Sequence, residues 1–319
     1  MSGLKGARIL VTGGAGFIGS HLVGLLLESG AEQVDVIDNF FLGKECNLAD
    51  AKTTFGQKLN VFREDAAEFD ALKAVVKISK PDMIFNLATK ALEYSFFNPA
   101  GACRVNLDIA IGLAELLRES AYSRLIHYSS SEVYGSAKQL PMSEDHPLLA
   151  ETSYAAGKAA GDLLLRSYVN MFDLDIVTIR PFNNYGPCQN DGAMAAVVPL
   201  TIKRLTNNEP PVLSGDGSQT RDFIYVGDTV INTLKVAESA ETTGDTFNLG
   251  TGREISIREI VETLADIMGY DGEIKHVERR TADVDRHCAD IGFIESKIGP
   301  LTLTSLREGL QKTVDWYRK

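Results

Sequence analysis

Tyr154 and Lys158 are four positions apart, which places two side chains on one face of a helix about one turn apart. A free tyrosine loses its proton near pH 10, and a neighbouring ammonium lowers that pKa because it favours the phenolate. With Ser130 upstream, the pair predicts a device that takes a proton from a substrate hydroxyl near pH 7. Tyrosine and lysine often occur at this spacing by chance, so the prediction depends on the elements that position them.

A glycine-rich turn lies close to the amino terminus. Arg8–Thr12 is a short apolar run with β-branched residues, typical of a buried parallel strand, and Gly13, Gly16 and Gly19 follow it. An apolar helical segment comes next. Free N–H groups and positive dipole charge at such a helix start bind a pyrophosphate, and glycines let the backbone come close to it. The pattern predicts a dinucleotide site.

A second strand, Gln33–Ile37, ends at Asp38, about twenty residues beyond the glycines. A carboxylate at this place accepts hydrogen bonds from both ribose hydroxyls and repels a 2′-phosphate. Asp38 therefore favours NAD over NADP as the cofactor.

Strands and helices continue to alternate along the first half of the chain. The further strands are predicted at Leu59–Arg63, Asp82–Ala88 and Arg124–Tyr128, and the helices at Asp70–Ile78 and Asn106–Glu119. This rhythm predicts the α/β class with a doubly wound parallel sheet that binds its ligand at the carboxyl ends of the strands.

The second half predicts a smaller mixed α/β lobe. Helices are expected at Ala195–Leu205, at Ser256–Met268 with Ser256 as the cap, and at Thr304–Lys319. The chain is expected to return to the sheet near Phe223–Val226 and Thr246–Leu249. The predicted division is a nucleotide-binding domain at 1–182 with roughly 222–250, and an interleaved substrate lobe at 183–221 and 251–319.

The order of several motifs resembles the extended short-chain dehydrogenase/reductase family, and within it the nucleotide-sugar epimerases and dehydratases similar to UDP-glucose 4-epimerase. The resemblance covers essentially the whole chain. It rests on the Thr12–Gly19 glycine turn, Asp38-Asn39, Asn86-Leu87-Ala88, Ser129–Gly135, Tyr154-x-x-x-Lys158, Arg180–Pro187 and Gly215–Phe223.

The resemblance implies a Rossmann sheet and a role for each matching residue. The residues implied to hold NAD are Gly13, Gly16, Phe17, Ile18, Gly19, Asp38, Asn39, Asp65, Ala66, Leu87, Ala88, Tyr154 and Lys158. Ser130, Tyr154 and Lys158 are the implied catalytic residues. The residues expected to contact a nucleotide-diphosphate sugar are Lys90, Glu93, Ser130, Asn183, Val198, Leu213, Arg221 and Arg280. Arg280 is expected to bind a phosphate, because the guanidinium N–H groups match the geometry of the phosphate oxygens.

The chain departs from the family pattern at three places. Asn86 replaces a histidine and Thr89 an alanine, which indicates an unusual sugar pocket. Gly157 stands where serine is common, between Tyr154 and Lys158, and leaves the proton relay intact.

The implied first step oxidises a sugar hydroxyl, most often at C4. A 4-epimerase then needs only Ser130, Tyr154 and Lys158, whereas a 4,6-dehydratase or a glucuronate decarboxylase also uses an acid/base at Glu132. Ser131 stands where one dehydratase group has an aspartate, but other dehydratases and the decarboxylases tolerate a hydroxyl residue there. The block from Asn183 to Phe223 looks closest to the 4-epimerases. The sequence favours the epimerase, with dehydratase, decarboxylase and 4-ketosugar reductase as alternatives.

Composition sets outer limits on the function. The 319 residues carry a net charge of −11, which argues against nucleic-acid binding. The four cysteines and five histidines show no metal-ligand spacing, so no metal site is predicted. The sequence contains neither a signal peptide nor a membrane-spanning run, so a cytoplasmic protein is expected. The resemblance further implies a homodimer formed through a four-helix bundle of Asn106–Glu119 and Tyr154–Tyr168.

Overall fold

A parallel β-sheet with helices on both faces organises the chain. A computed structural model describes residues 3–192, 195–278 and 286–318. The strands are β1 (Arg8–Thr12), β2 (Gln33–Ile37), β3 (Leu59–Phe62), β4 (Met83–Asn86), β5 (Arg124–Tyr128), β6 (Ile176–Pro181), β7 (Asn183–Tyr185), β8 (Val212–Ser214), β9 (Thr220–Arg221), β10 (Phe223–Tyr225), β11 (Thr246–Leu249), β12 (Ile255–Ser256) and β13 (Lys275–Val277). The helices are α1 (Phe17–Glu28), α2 (Ala49–Phe55), α3 (Phe69–Ser79), α4 (Pro99–Arg118), α5 (Ser153–Phe172), α6 (Val197–Thr206), α7 (Val226–Glu238), α8 (Ile257–Met268), α9 (Gly292–Ile298) and α10 (Leu306–Tyr317).

Seven strands form the main sheet in the order β3-β2-β1-β4-β5-β6-β11, and every neighbouring pair is parallel. The strands are apolar along most of their length because helices cover both faces of the sheet. One hydrophobic cluster joins α1 and α7 to one face, and a second joins α3, α4 and α5 to the other. The strand order reverses between β1 and β4, where a doubly wound sheet opens a crevice for its ligand. The predicted fold class is confirmed.

Most predicted elements lie within a few residues of the observed ones. Helix α4 begins at Pro99, seven positions before the predicted Asn106, because two amino-terminal signals precede the apolar pattern. The Asn98 side chain accepts a hydrogen bond from the Gly101 N–H (2.9 Å), and proline occupies the first helical position.

One predicted strand is wrong in its pairing. Phe223–Val226 does not return to the main sheet, since β10 pairs in parallel with β7 in a separate two-stranded sheet. The edge beside β6 is already occupied by β11, with Thr246 opposite Thr178. The chain beyond β6 therefore finds its partner in β10, and β11 alone extends the main sheet.

A third hydrophobic cluster joins α6, α8 and α10 around the buried Tyr185. The predicted cap of α8 is confirmed, because the Ser256 hydroxyl accepts a hydrogen bond from the Glu259 N–H at 3.0 Å. Ser305 caps α10 in the same way. No helix within the described ranges is long and apolar enough to cross a membrane.

Helices α4 and α5 pack directly against each other, and Gly157 of α5 lies close to the backbone of α4. A Cβ at this position would lie 2.6 Å from the carbonyl oxygen of Cys103. The neighbouring group is backbone, which cannot rotate away. The glycine that departs from the family's common serine therefore allows the contact that fixes α5, and with it Tyr154 and Lys158, against α4.

Candidate active site

A cavity of about 370 Å³ opens at the carboxyl ends of the strands, beside the switch point between β1 and β4. Its size lies within the usual range for ligand sites. The residues with predicted roles that line it are Gly13, Gly16, Phe17, Ile18, Gly19, Asp38, Asn39, Asp65, Ala66, Leu87, Ala88, Lys90, Ser130, Tyr154 and Lys158. The structure thus brings every residue predicted for the cofactor into one cavity.

The glycine turn between β1 and α1 is shaped for a group that must approach the backbone. Gly13 has a φ of +69°, and a Cβ there would lie 2.7 Å from the Ala88 nitrogen. A Cβ on Gly19 would overlap the Gly13 carbonyl oxygen. Gly16 is the N-cap of α1 and brings no side chain to the helix start. The first N–H groups of α1 therefore remain available to a pyrophosphate, which fits a dinucleotide cofactor.

Asp38 is buried at the end of β2, where its two oxygens accept main-chain N–H bonds from Ala15 (2.9 Å) and Phe40 (2.8 Å). Burial raises the pKa of Asp38, and these two bonds oppose the rise. The Asn39 amide donates to the carboxylate of Asp65 at 2.7 Å. These residues therefore form the end of the cavity suited to a ribose and its base.

Ser130, Tyr154 and Lys158 reach the cavity from β5 and α5. Ser130 follows β5 and caps a short 3₁₀ turn, its hydroxyl accepting a hydrogen bond from the Glu132 N–H at 3.2 Å. On α5, the Tyr154 N–H donates to the Ser95 hydroxyl at 2.9 Å. The Lys158 ammonium donates to the main-chain oxygen of Tyr128 at 2.8 Å. Two elements and a loop thus fix the three side chains in one place.

The electrostatics differ from the sequence prediction that Lys158 lowers the pKa of Tyr154. Burial raises the pKa of Tyr154 to about 12, the Ser130 hydroxyl opposes the rise, and the charges of Glu132 and Glu93 add to it. Burial lowers the pKa of Lys158 to about 8, against the opposing charge of Asp162. The predicted lowering was wrong because burial of the phenol raises its pKa by more than the hydrogen bonds with Ser130 and Thr89 lower it.

A second cavity, of about 590 Å³, includes Glu93 and Arg221 in its lining. Glu132 is partly buried close to both of them. Burial raises the pKa of Glu132, the Arg221 guanidinium opposes the rise, and the charges of Glu151 and Glu93 add to it. A carboxylate group with a raised pKa beside Tyr154 has the properties of a general acid.

Lys90, Val198 and Leu213 were predicted to contact the substrate, and the structure separates them. Lys90 lines the first cavity, with its ammonium 3.7 Å from the centroid of the Phe41 ring. Val198 and Leu213 are buried and line neither cavity. The neighbours of these two residues, Val197, Leu200, Val212 and Ser214, line the second cavity instead. Alternation along β8 explains the difference there, because successive side chains point to opposite faces.

Asn183 and Arg280 complete the predicted substrate set. The Asn183 Oδ1 atom is buried without a hydrogen-bond partner in the part of the chain that the structure describes, and the residue lines neither cavity. Arg280 lies outside the described residues.

Two supporting residues had no signal in the motifs. Asn106 accepts hydrogen bonds from the Thr89 hydroxyl (2.8 Å) and the Lys90 N–H (3.1 Å), which fixes the loop after β4. Ser95 holds the first turn of α5 through Tyr154. For Asn106, the sequence indicated a special role only through the presence of an amide on an otherwise apolar helix face. Nothing in the sequence indicated the role of Ser95.

Comparison with known proteins agrees with this geometry. A family model described as GDP-mannose 4,6-dehydratase matches residues 10–313. A UDP-glucose 4-epimerase from Mycolicibacterium smegmatis is 36% identical over 313 residues, covering 98% of each chain. UDP-glucuronic acid decarboxylase 6 from Arabidopsis thaliana is 32% identical, over 95% of this chain and 86% of its own.

The solved structures give the same result. The dTDP-glucose 4,6-dehydratase of Streptomyces venezuelae, crystallised with NAD bound, superposes with a TM-score of 0.89 at 31% identity, covering 98% of this chain and 97% of its own. The chain therefore belongs to the GDP-mannose 4,6-dehydratase family and is an enzyme of its NAD-dependent sugar epimerase and dehydratase group.

Proposed function

We propose that this protein is an NAD-dependent nucleotide-sugar 4-epimerase. The observation that carries the proposal is the convergence of Ser130, Tyr154 and Lys158 on the cavity that also contains the glycine turn and Asp38. When bound there, NAD supplies the hydride acceptor and donor that an alcohol oxidation requires. The family and the mycobacterial epimerase relative support the same class of reaction.

The chain's own groups divide the proton chemistry between them. Tyr154 takes the proton of the sugar C4 hydroxyl and later returns one to the same oxygen. Ser130 donates a hydrogen bond to that oxygen as it becomes a carbonyl. Lys158, held by the Tyr128 carbonyl, supplies positive charge beside the phenolate and to the ribose end of the cofactor.

The residue before Glu132 disfavours one type of dehydration, that of the dehydratases with an aspartate at this position, whereas other dehydratases carry a hydroxyl residue there. Ser131, which replaces the aspartate of one dehydratase group, is buried in the 3₁₀ turn. It offers no carboxyl group for a second acid/base step at C5 and C6. Dehydration is the second candidate, because Glu132 has a raised pKa and interacts electrostatically with Tyr154.

The charges at the sugar end disfavour a uronic acid. The charges of Glu93 and Glu151 both act on Glu132, as does the opposing charge of the Arg221 guanidinium. A sugar carboxylate placed beside Glu93 and Glu132 meets repulsion that one guanidinium only partly offsets. A neutral sugar avoids this repulsion, which supports a hexose or N-acetylhexosamine over a glucuronate substrate.

The proposal is tested by incubating the NAD-loaded protein with uridine, thymidine and guanosine diphosphate sugars and analysing products by mass spectrometry and NMR. A new stereoisomer of unchanged mass is expected from at least one neutral sugar. A product lighter by water identifies a dehydratase, and one lighter by carbon dioxide identifies a decarboxylase. Either lighter product contradicts the epimerase proposal.

Replacing Glu132 by glutamine separates the two leading candidates. An epimerase is expected to keep its turnover within several-fold, because the amide leaves Ser130, Tyr154 and Lys158 in place. A dehydratase is expected to lose about 10²- to 10⁴-fold, the usual contribution of a general acid or base. The measurement is kcat with the best sugar from the panel.

Glu151→Gln is the matched control for this change, because Glu151 influences the same carboxyl group from outside both cavities. It removes the same charge without touching substrate. Loss of turnover in Glu132→Gln alone, with NAD still bound, contradicts the epimerase assignment.

We further propose that two copies associate through α4 and α5. Ile111 on α4 and Leu163 and Met171 on α5 expose 38%, 60% and 68% of their surface. Burial of such apolar surface favours association. Light scattering is expected to give the mass of a dimer that Leu163→Glu reduces to a monomer, and a monomeric wild type contradicts this assignment.

A further inference from the structure

A buried ionic cluster lies one turn beyond Lys158 on α5. Asp162 is four positions after Lys158, and both residues are buried. Side chains at this separation lie on the same helix face. Burying a lysine and an aspartate without function is costly, because each charge loses its hydration. The cluster therefore calls for an explanation beyond packing.

Only one of the two carboxylate oxygens of Asp162 accepts a hydrogen bond among the described residues. Its Oδ2 accepts a hydrogen bond from the Arg180 Nε at 2.8 Å. Its Oδ1 has no hydrogen-bond partner within the described ranges, and His127 Nε2, also unpartnered there, lies 4.0 Å away. Arg180 directs a second N–H to the hydroxyl of Tyr134 at 2.9 Å. Arg180 therefore pairs with one oxygen of the Asp162 carboxylate, and the other oxygen faces the His127 ring.

The neighbours of Lys158 can be assigned charges. Burial lowers its pKa to about 8, and Asp162 is the group that opposes this fall. On β5, burial lowers the pKa of His127 well below the ordinary value, so its imidazole is neutral. On the same helix as Lys158, burial raises the pKa of Tyr154 to about 12, so this phenol adds no negative charge to oppose the fall. On β6, Arg180 is cationic and paired with Asp162. Asp162 is therefore the negative charge that acts on Lys158.

We propose that Asp162 is a positioning residue of the active site, the buried counter-charge that keeps the Lys158 ammonium protonated and directed at the Tyr128 carbonyl near neutral pH. The role of Lys158 in turnover rests on the proposed function, whereas the effect of Asp162 on the Lys158 ammonium does not. Arg180 orders Asp162 through its hydrogen bond. Burial raises the pKa of Asp162, and the Arg180 guanidinium is the strongest influence that opposes the rise, so Arg180 favours the ionised carboxylate.

The sign of the pH effect follows from the charge. A negative neighbour raises the pKa of an ammonium, so its removal lowers that pKa. Activity that needs protonated Lys158 is lost as the pH rises through the lysine pKa. In Asp162→Asn this loss is therefore expected at lower pH than in the wild type. A purely structural residue would reduce activity by the same factor at every pH.

The test is the titration of Lys158 by NMR on protein labelled with ¹³C at lysine Cε, with the signal assigned through Lys158→Met. Asp162→Asn is expected to lower the titration midpoint by about one unit or more, the usual effect of one close charge. Asp162→Glu, which restores the charge, is expected to bring it back toward the wild-type value. An unchanged midpoint in Asp162→Asn overturns the proposal.

A measurement without any variant keeps the proposal testable if Asp162→Asn does not fold. The ¹³Cγ shift of Asp162 in the wild type is expected to show an ionised carboxylate at pH 7, and a neutral carboxyl group there overturns the proposal. These titrations need no substrate. A shifted Lys158 midpoint in a protein inactive on every nucleotide sugar would therefore contradict the proposed function and leave the role of Asp162 standing.

Discussion

Tyr154→Phe is expected to lower turnover by about 10⁴-fold, the upper end for loss of a general base, while NAD binding stays within a few-fold. The phenyl ring fills the same space, and the helix position is held by the backbone bond to Ser95. The substitution removes the hydroxyl that we propose accepts the sugar proton. The measurement is single-turnover kinetics together with a fluorescence titration of NAD.

Tyr168→Phe is the matched control, since Tyr168 lies on the same helix and its hydroxyl contacts Glu115 outside the cavity. It is expected to retain wild-type turnover. If Tyr154→Phe keeps more than about a tenth of the wild-type rate, Tyr154 is not the base and the assignment of proton transfer falls.

Gly19→Ala is expected to abolish NAD binding and to lower the free energy of unfolding by roughly 1–3 kcal/mol, the usual cost of overpacking. The new Cβ would overlap the Gly13 carbonyl oxygen and lie 2.9 Å from the Gly14 Cα. Both obstacles are backbone atoms of the turn itself, so the turn must distort. Urea unfolding and an NAD titration measure the two effects.

Gly24→Ala, in the same helix, has no atom within 4 Å of the new Cβ. This control is expected to bind NAD normally and to stabilise α1 by up to about 1 kcal/mol, because alanine favours helix over glycine. Wild-type NAD affinity in Gly19→Ala would show that the turn does not form the pyrophosphate site.

The parts of the fold that local rules determine were predictable from the sequence. Strands β1, β2 and β5 have their predicted bounds. Each is a short apolar run that ends at turn residues, and this pattern indicates where a buried strand begins and ends. The cap at Ser256 followed from its spacing to Glu259. The cofactor cavity was predictable because the carboxyl ends of parallel strands share one edge, which brings distant motifs together.

The remaining features depend on competition between distant segments. β10 pairs with β7 because β11 occupies the sheet edge, and no local pattern ranks those two choices. The prediction chose Val198 and Leu213 as substrate contacts, but the residues one position before them line the second cavity. A shift of one position is enough to place a side chain in the hydrophobic core instead of the cavity. The pKa of Tyr154 depends on its burial, which spacing does not reveal.

Under the proposed function, the carboxylates at the sugar end, rather than Ser130, Tyr154 and Lys158, are expected to decide which reaction follows the oxidation. Glu132 and Glu93 both act on Tyr154, and both raise its pKa. The same charges that disfavour a uronic acid also make the phenolate harder to form. Under the proposed function, turnover is expected to depend on the positive charge of Lys158, and through it on Asp162.

The most direct test of the central claim uses the sugar nucleotide identified by the panel, labelled with deuterium at C4. Transient oxidation and return at C4 predict a 4-epimer of unchanged mass that retains the deuterium at C4. Loss of the deuterium to solvent, or a labelled product lighter by water or carbon dioxide, would contradict the account.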